Sequence, residues 1–238
     1  MRRFFAVIFA VVICLGMLTA CSGKTYTAFE LYERSVNAVN EAGGFEAKYD
    51  ISVEAPDVDY SSVDSSKVEV NGDNWHLDWY ESYIDWHIGM WVVDGMMYLT
   101  DDYDKAMFAA GEEETVPPIS DYLPDLTPEL LEGVDVLKTE DGYSFSMEPT
   151  DEILSTAFEG MLKEFVSDEN VREVSEMTFT FNTEGIIESI EYSGRISGEI
   201  LVGEKTTATV SAKCVFIDAG TAPEVTAPAD AEEYILVE

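Results

Sequence analysis

The chain has 238 residues, and its 48 acidic against 13 basic side chains give a formal charge of −35. That charge argues against nucleic acid and anionic headgroups as partners, since both would be repelled. The length allows one sizeable core, and three cysteines, Cys14, Cys21 and Cys214, are too few for a disulfide framework.

Met1-Arg2-Arg3 is a short basic start, and Phe4 to Leu18 is almost unbroken hydrocarbon. That run is marginal for a transmembrane span and typical of a signal sequence. Small residues at Thr19 and Ala20 precede Cys21, and Leu18-Thr19-Ala20-Cys21 resembles the lipobox of bacterial lipoproteins. The resemblance implies that residues 1–20 are a signal peptide and that the Cys21 thiol carries a diacylglyceryl group, the lipidation site. It also implies anchoring on the extracytoplasmic face of the bacterial cell membrane. Two acyl chains, at about 0.8 kcal/mol per buried methylene, hold stably where one is marginal. Cleavage leaves 218 residues with 11 basic and 48 acidic side chains, a net charge of −37. Cys214 is then the only unmodified thiol. It falls on the inward side of its strand and reads as a small core residue.

Residues 21–27 form the lipidated cysteine and a short tether, and 28–238 read as a single domain. Thr27-Ala-Phe-Glu30 is a capping box, with Phe29, Tyr32, Val36 and Val39 at helical spacing until Gly43-Gly44. The period then changes: Phe45, Ala47, Tyr49, Ile51 and Val53 alternate with polar residues, as in a strand buried on one face. Pro56 to Ser66 reads as a polar loop. Val68 and Val70 start a second strand, and Asn71 to Asn74 turns into a third that bears Trp75, Leu77 and Trp79 on one side. Ile84 to Val93 forms a fourth, joined by Asp94-Gly95, a favoured hairpin turn, to Met96–Thr100.

Asp101 to Pro124 is acidic and proline-bearing, with a short strand expected at Ala106 to Ala110. A one-turn helix is expected from Thr127 to Gly133, then a hairpin of Val134–Thr139 with Tyr143–Met147. A longer helix is expected from Thr150 to Phe165, with Asp151 and Glu152 at its positive end and a stripe that includes Phe158 and Met161. Three long strands follow, through Met177–Phe181, Ile186–Ile196 and Thr207–Ile217, before an extended tail. The fold class expected is α+β. It has a single curled antiparallel sheet of roughly ten strands, an incomplete barrel, with helices covering the concave face.

This order of elements resembles the LolA/LppX-like lipoprotein fold, and in particular uncharacterised LolA-like lipoproteins of Gram-positive bacteria. The matching features are the lipobox, the helix Phe29 to Ala42 feeding into Phe45 to Glu54, the hairpin Val92-Val93-Asp94-Gly95-Met96-Met97-Tyr98-Leu99, and the close on Pro223 to Pro228. The resemblance implies an apolar, lipid-binding cavity between sheet and helices. LolA itself is a soluble shuttle, whereas an anchored chain suits a stationary binder.

The richest cluster of candidate residues is aromatic. Trp75, Trp79, Trp86 and Trp91 fall in one hairpin-rich stretch with Met90, Met96 and Met97. Wide rings and pliable thioethers suit a variable apolar ligand, and Phe158 and Met161 on the later helix would close over it. The plainer reading is sheet-to-helix packing. His76 and His87 sit on the polar sides of their strands and read as exposed. A metal pair would need them adjacent with Asp78 or Asp85. Asp101, Asp102, Asp104 and Glu112 to Glu114 lack calcium-loop spacing. No metal, cofactor or catalytic residue is expected, because no nucleophile elbow, zinc-binding helix or phosphate loop is present. The expectation is therefore a monomeric, membrane-anchored binder of an apolar ligand. The alternative is a non-catalytic interaction or sensor lipoprotein whose acidic surface meets a basic envelope partner.

Overall fold

A computed structural model describes residues 25–111, 123–157, 162, 170–201, 204–217 and 219–237. Cys21, Glu112 to Glu114, Phe158 and Met161 lie outside the described residues, as do 158–161 and 163–165 of the expected helix Thr150 to Phe165.

Helix α1 spans Ala28–Ala42. Its start follows from the capping box: the Thr27 N–H donates to Glu30 Oε2 at 2.8 Å, and the Glu30 N–H donates to Thr27 Oγ1 at 3.2 Å. Gly43, at φ 70°, ends it in the left-handed region. One face, with Ala28, Leu31, Tyr32, Ser35 and Val39, is buried.

The strands are β1 (Gly44–Ala55), β2 (Tyr60–Asn71), β3 (Asn74–Glu81), β4 (Trp86–Val93), β5 (Met96–Asp101) and β6 (Lys105–Ala109), then β7 (Leu137–Lys138) and β8 (Gly142–Met147). After the short helix α2 (Asp151–Thr156) come β9 (Val171–Asn182), β10 (Ile187–Leu201), β11 (Glu204–Ile217) and β12 (Ile235–Leu236). They form one sheet in the order β12-β6-β5-β4-β3-β2-β1-β11-β10-β9-β8-β7. Two meanders, β1–β6 and β7–β11, thus meet where β1 pairs β11, and every pairing is antiparallel except β12 on β6. The sheet is curled and does not close, as expected of an incomplete barrel.

Twelve strands replace the expected ten, and the expected loop at 56–66 is corrected most. A 3₁₀ turn covers only Pro56–Val58, and β2 starts at Tyr60, pairing with β1 from Ala55↔Tyr60 through to Gly44↔Asn71. The serines there are strand residues, and Ser62 and Ser66 are buried on the inner face.

The core lies on that inner face. Phe145, Phe179 and Phe181 stack, with Phe145 4.8 Å from Phe179 and 5.5 Å from Phe181. Tyr32 of α1 meets Phe179 edge-on at 6.1 Å, and its hydroxyl donates to the Pro124 carbonyl. Burial, with the charge of Asp125 second, pushes the Tyr32 phenol far above its ordinary range, so it stays a donor. Ser35 fastens the helix to the sheet. Its hydroxyl donates to Leu31 O at 3.0 Å and accepts from the Ile187 N–H at 2.9 Å. The register of β10 against β9 shifts between Ile187 and Ser189, and the serine satisfies the amide at that irregularity. Leu123, Leu126, Leu131, Ile153, Leu154 and Leu162 are buried in the same core. Cys214 is reduced and buried there, as read from the sequence.

Candidate apolar-ligand site

Strand register assembles the aromatic residues. In the β3–β4 ladder Trp75 pairs with Val92, Leu77 with Met90, Trp79 with Ile88 and Glu81 with Trp86. In the β4–β5 ladder Val92 pairs with Met97 and Met90 with Leu99. Because side chains alternate, Trp75, Trp79, Trp86, Met90 and Met97 all share the inner face.

Their burial is graded along the strands. Trp75 and Val92 are buried in the core, while Leu77, Met90 and Met97 are half-buried and packed against it. Further from α1, Trp79 and Trp86 are half-buried and meet edge-to-face at 5.9 Å. Two polar atoms in this wall are shielded from solvent yet have no hydrogen-bond partner: the Trp79 Nε1–H and the Ser66 hydroxyl. They belong to cross-strand neighbours, since Ser66 pairs with Trp79. A buried donor left unmet costs about 1–3 kcal/mol, so a polar pair inside an apolar wall suits the few orienting groups of a ligand site.

Trp91 does not join this wall. It lies on the outer face, stacked on His76 with ring centres 4.5 Å apart and planes within 10°. The ring also lies over Gly89, where an added Cβ would come 2.6 Å from its Cη2; the glycine is what lets the indole lie flat. Its side of the sheet is covered by the tail. Asn71 Nδ2 donates to Pro223 O at 2.7 Å, Lys105 Nζ reaches Asp230 at 2.5 Å and Glu233 at 2.6 Å, and Tyr234 meets Tyr98 edge-on at 5.5 Å. Under the tail, Glu69, His76, Trp91, Lys105, Asp230 and Tyr234 line an open polar cavity of about 360 Å³.

His76, expected to be exposed, is half-buried in that stack, whereas His87 is exposed as expected. His76 Nδ1 lies 2.8 Å from Glu69 Oε2 and Nε2 lies 3.2 Å from Asp78 Oδ2, with His87 Nε2 3.9 Å from the other Asp78 oxygen. Burial pulls the His76 pKa down, but the hydrogen bonds and charges of Asp78 and Glu69 outweigh it and leave the pKa raised. Only the Nδ1 contact has full hydrogen-bond geometry, but the two carboxylates beside the ring both favour its charged form. Asp78 is lowered, first by its hydrogen bond to His76. Among the described residues, no group of three or more His, Cys, Asp or Glu is arranged to hold a metal ion. The Asp101 carboxylate instead accepts from the Tyr103 and Asp104 amides, both at 2.8 Å.

A second cavity, of about 720 Å³, was not anticipated. It opens where α1 begins, between Tyr26 and Phe29 on one side and Leu131, Val134, Val136 and Tyr143 on the other. Tyr26 and Tyr143 meet edge-on at 5.2 Å. The one-turn helix expected from Thr127 to Gly133 is instead a run of turns, and its docking against the start of α1 creates the cleft.

No family model matches the chain, and no curated protein does. Solved structures match loosely. A LolA superfamily protein from Nitrosomonas europaea superposes with a TM-score of 0.30 at 11% identity, covering 89% of this chain and 99% of that one. A chain of the MucA/MucB complex from Pseudomonas aeruginosa superposes with a TM-score of 0.29 at 12% identity, covering 84% of this chain and 62% of that one. Similarity at this level carries no argument about function.

Proposed function

We propose that this chain is a membrane-anchored, extracytoplasmic lipoprotein that holds an apolar ligand, a lipid, against the inner wall of β3–β5 without chemistry of its own. One observation carries the reading. The wall is built of Trp79, Trp86, Met90 and Met97 at half-burial, with the Trp79 N–H and Ser66 hydroxyl left unpartnered in it. Acyl chains would bury against the rings and thioethers, gaining about 25 cal/mol per Å² of apolar surface removed from water. The lipobox, Leu18 to Cys21, supports the anchor, and the −35 charge supports a ligand that is not anionic.

The four tryptophans are the only ones in the chain, and the geometry divides them into wall (Trp75, Trp79, Trp86) and outer face (Trp91). A brominated acyl glycerol should quench the emission of the wild type and of Trp91→Phe alike. Quenching should fall sharply in Trp79→Phe/Trp86→Phe. Undiminished quenching in the double variant, or a protein that native mass spectrometry shows lipid-free from its own membrane and that never quenches, rules the wall out.

A further inference from the structure

We infer that the cleft at the start of α1 is the seat of the chain's own anchor: one acyl chain of the lipid on Cys21 folds back into it. The proposal rests on the lipidated-cysteine reading above, but not on the ligand wall.

Three observations select this occupant. The first is position. Thr25, Tyr26 and Thr27 themselves line the cleft, and Cys21 precedes Thr25 by four residues. At full stretch those residues span about 14 Å, so a group on Cys21 can enter the cleft but cannot go far from it. The second is size and lining. About 720 Å³ walled by Tyr26, Phe29, Leu131, Val134, Val136 and Tyr143 falls within the roughly 300–1,000 Å³ of small-ligand sites. The third is the rim, where Glu129, Glu132 and Asp135 face a single lysine, Lys138. Lys138 Nζ stands 5.6 Å from the centre of the Tyr143 ring. An acidic rim turns away a free anionic phospholipid or fatty acid but does not oppose the uncharged glyceride tail of a thioether-linked anchor.

Tethering also supplies the concentration. A group held by so short a linker is present at an effective concentration of about millimolar, enough for weak apolar binding to saturate. The consequence is functional: one chain in the cleft leaves fewer in the bilayer, and since stable anchoring needs two signals, docking loosens the membrane hold and steers α1 relative to the bilayer.

The test uses full-length protein expressed in a lipoprotein-processing bacterium and extracted in mild detergent, compared with Cys21→Ser. The mass of the N-terminal peptide first reports whether Cys21 is lipidated. Amide hydrogen exchange is then compared over residues 25–29 and 128–136 in the same detergent. Exchange slower by about tenfold in the lipidated form is expected for a bound tethered group. Leu131→Asp should remove that protection while β8–β11 keep theirs. Equal exchange in both forms, with lipid present on the peptide, overturns the cleft proposal and leaves the anchor intact. An unlipidated peptide overturns both. A cleft protected in both forms by a co-purifying lipid, seen in native mass spectra, shows a foreign occupant and overturns the proposal.

Discussion

The two halves of the sheet are built from the same alternating strands but are finished differently. Strands β1 and β8–β11 are sealed: Tyr49, Phe145, Met177, Phe179, Ile190 and Cys214 are at most 2% exposed. The half formed by β3–β6 keeps Leu77, Trp79, Ile88, Met90, Met97 and Leu99 half-buried. The difference lies in what reaches each half. Helix α1 presents Leu31, Tyr32, Ser35 and Val39 to the sealed half and is bonded there through Ser35, while Tyr32 ties it to the loop carbonyl of Pro124. Strand patterning makes a sheet, but a covering helix decides which part of its apolar face becomes core and which part stays available to a ligand.

Truncation tests that contrast with the largest effect. Phe179→Ala removes a fully buried ring in contact with Tyr32 and Phe145, and should cost about 3–5 kcal/mol in urea unfolding. Met97→Ala in the open half should cost about 1 kcal/mol while weakening ligand binding. Equal losses at the two sites would show that the halves are equally packed.

The next effect is on the fastening itself. Ser35→Ala keeps the size of the helix face but leaves the Ile187 N–H, buried at the β10 irregularity, without its acceptor. A loss of about 1–3 kcal/mol is expected, and Ser35→Thr should restore part of it. No loss in Ser35→Ala would mean that the serine does not fasten α1 to the sheet.

Much of this architecture is legible in the sequence, and the reasons for the misses are physical. The capping box at Thr27–Glu30, the alternation of Phe45 to Val53 and of Ala208 to Phe216, and the Asp94-Gly95 turn each carry a local signal that the fold keeps. The first half of β2 does not: after Tyr60 its inward positions are Ser62, Asp64 and Ser66, so no apolar alternation marks the period, and only pairing with β1 makes it a strand. β12 is two residues paired with β6, too short for a pattern. The face shared by Trp75, Trp79, Trp86, Met90 and Met97 depends on register between strands, which alternation within one strand cannot supply. The placement of Trp91 opposite them is legible from alternation, but its stacking on His76 is not. The cleft beside Tyr26 comes from loop docking and has no sequence mark.

The outer face offers a sharper, smaller test. Gly89→Ala places a Cβ within 2.6–2.9 Å of the Trp91 ring and the Thr100 methyl, so the indole must lift from His76. A cost of about 1–2 kcal/mol is expected, with a changed Trp91 emission and undiminished quenching by the brominated acyl glycerol. Lost quenching would mean that the two faces are coupled through the sheet.

The smallest effect is a pH dependence confined to the same outer patch. The His76 pKa is raised in the folded chain from an ordinary value of 6.5, so its contribution is complete below that value and is lost as pH rises through the folded one. The Asp78 and Glu69 pKa values are lowered from ordinary values of 3.8 and 4.5; for Glu69 burial acts upward and is outweighed by Lys67 and His76. Their contribution is present above those values and disappears as pH falls through the folded ones. All three ions coexist between 4.5 and 6.5, where the patch should be firmest. The facing groups are Lys67, which pairs with Glu46 and Glu69, and the exposed His87 beside Asp78. Wild-type urea midpoints should therefore decline gently from about pH 6 to pH 8, and His76→Gln should flatten that decline. Ligand quenching on the opposite face should not change across it. An unaltered slope in His76→Gln would place the titration elsewhere, and quenching that followed the slope would tie the histidine patch to the ligand wall through β3 and β4.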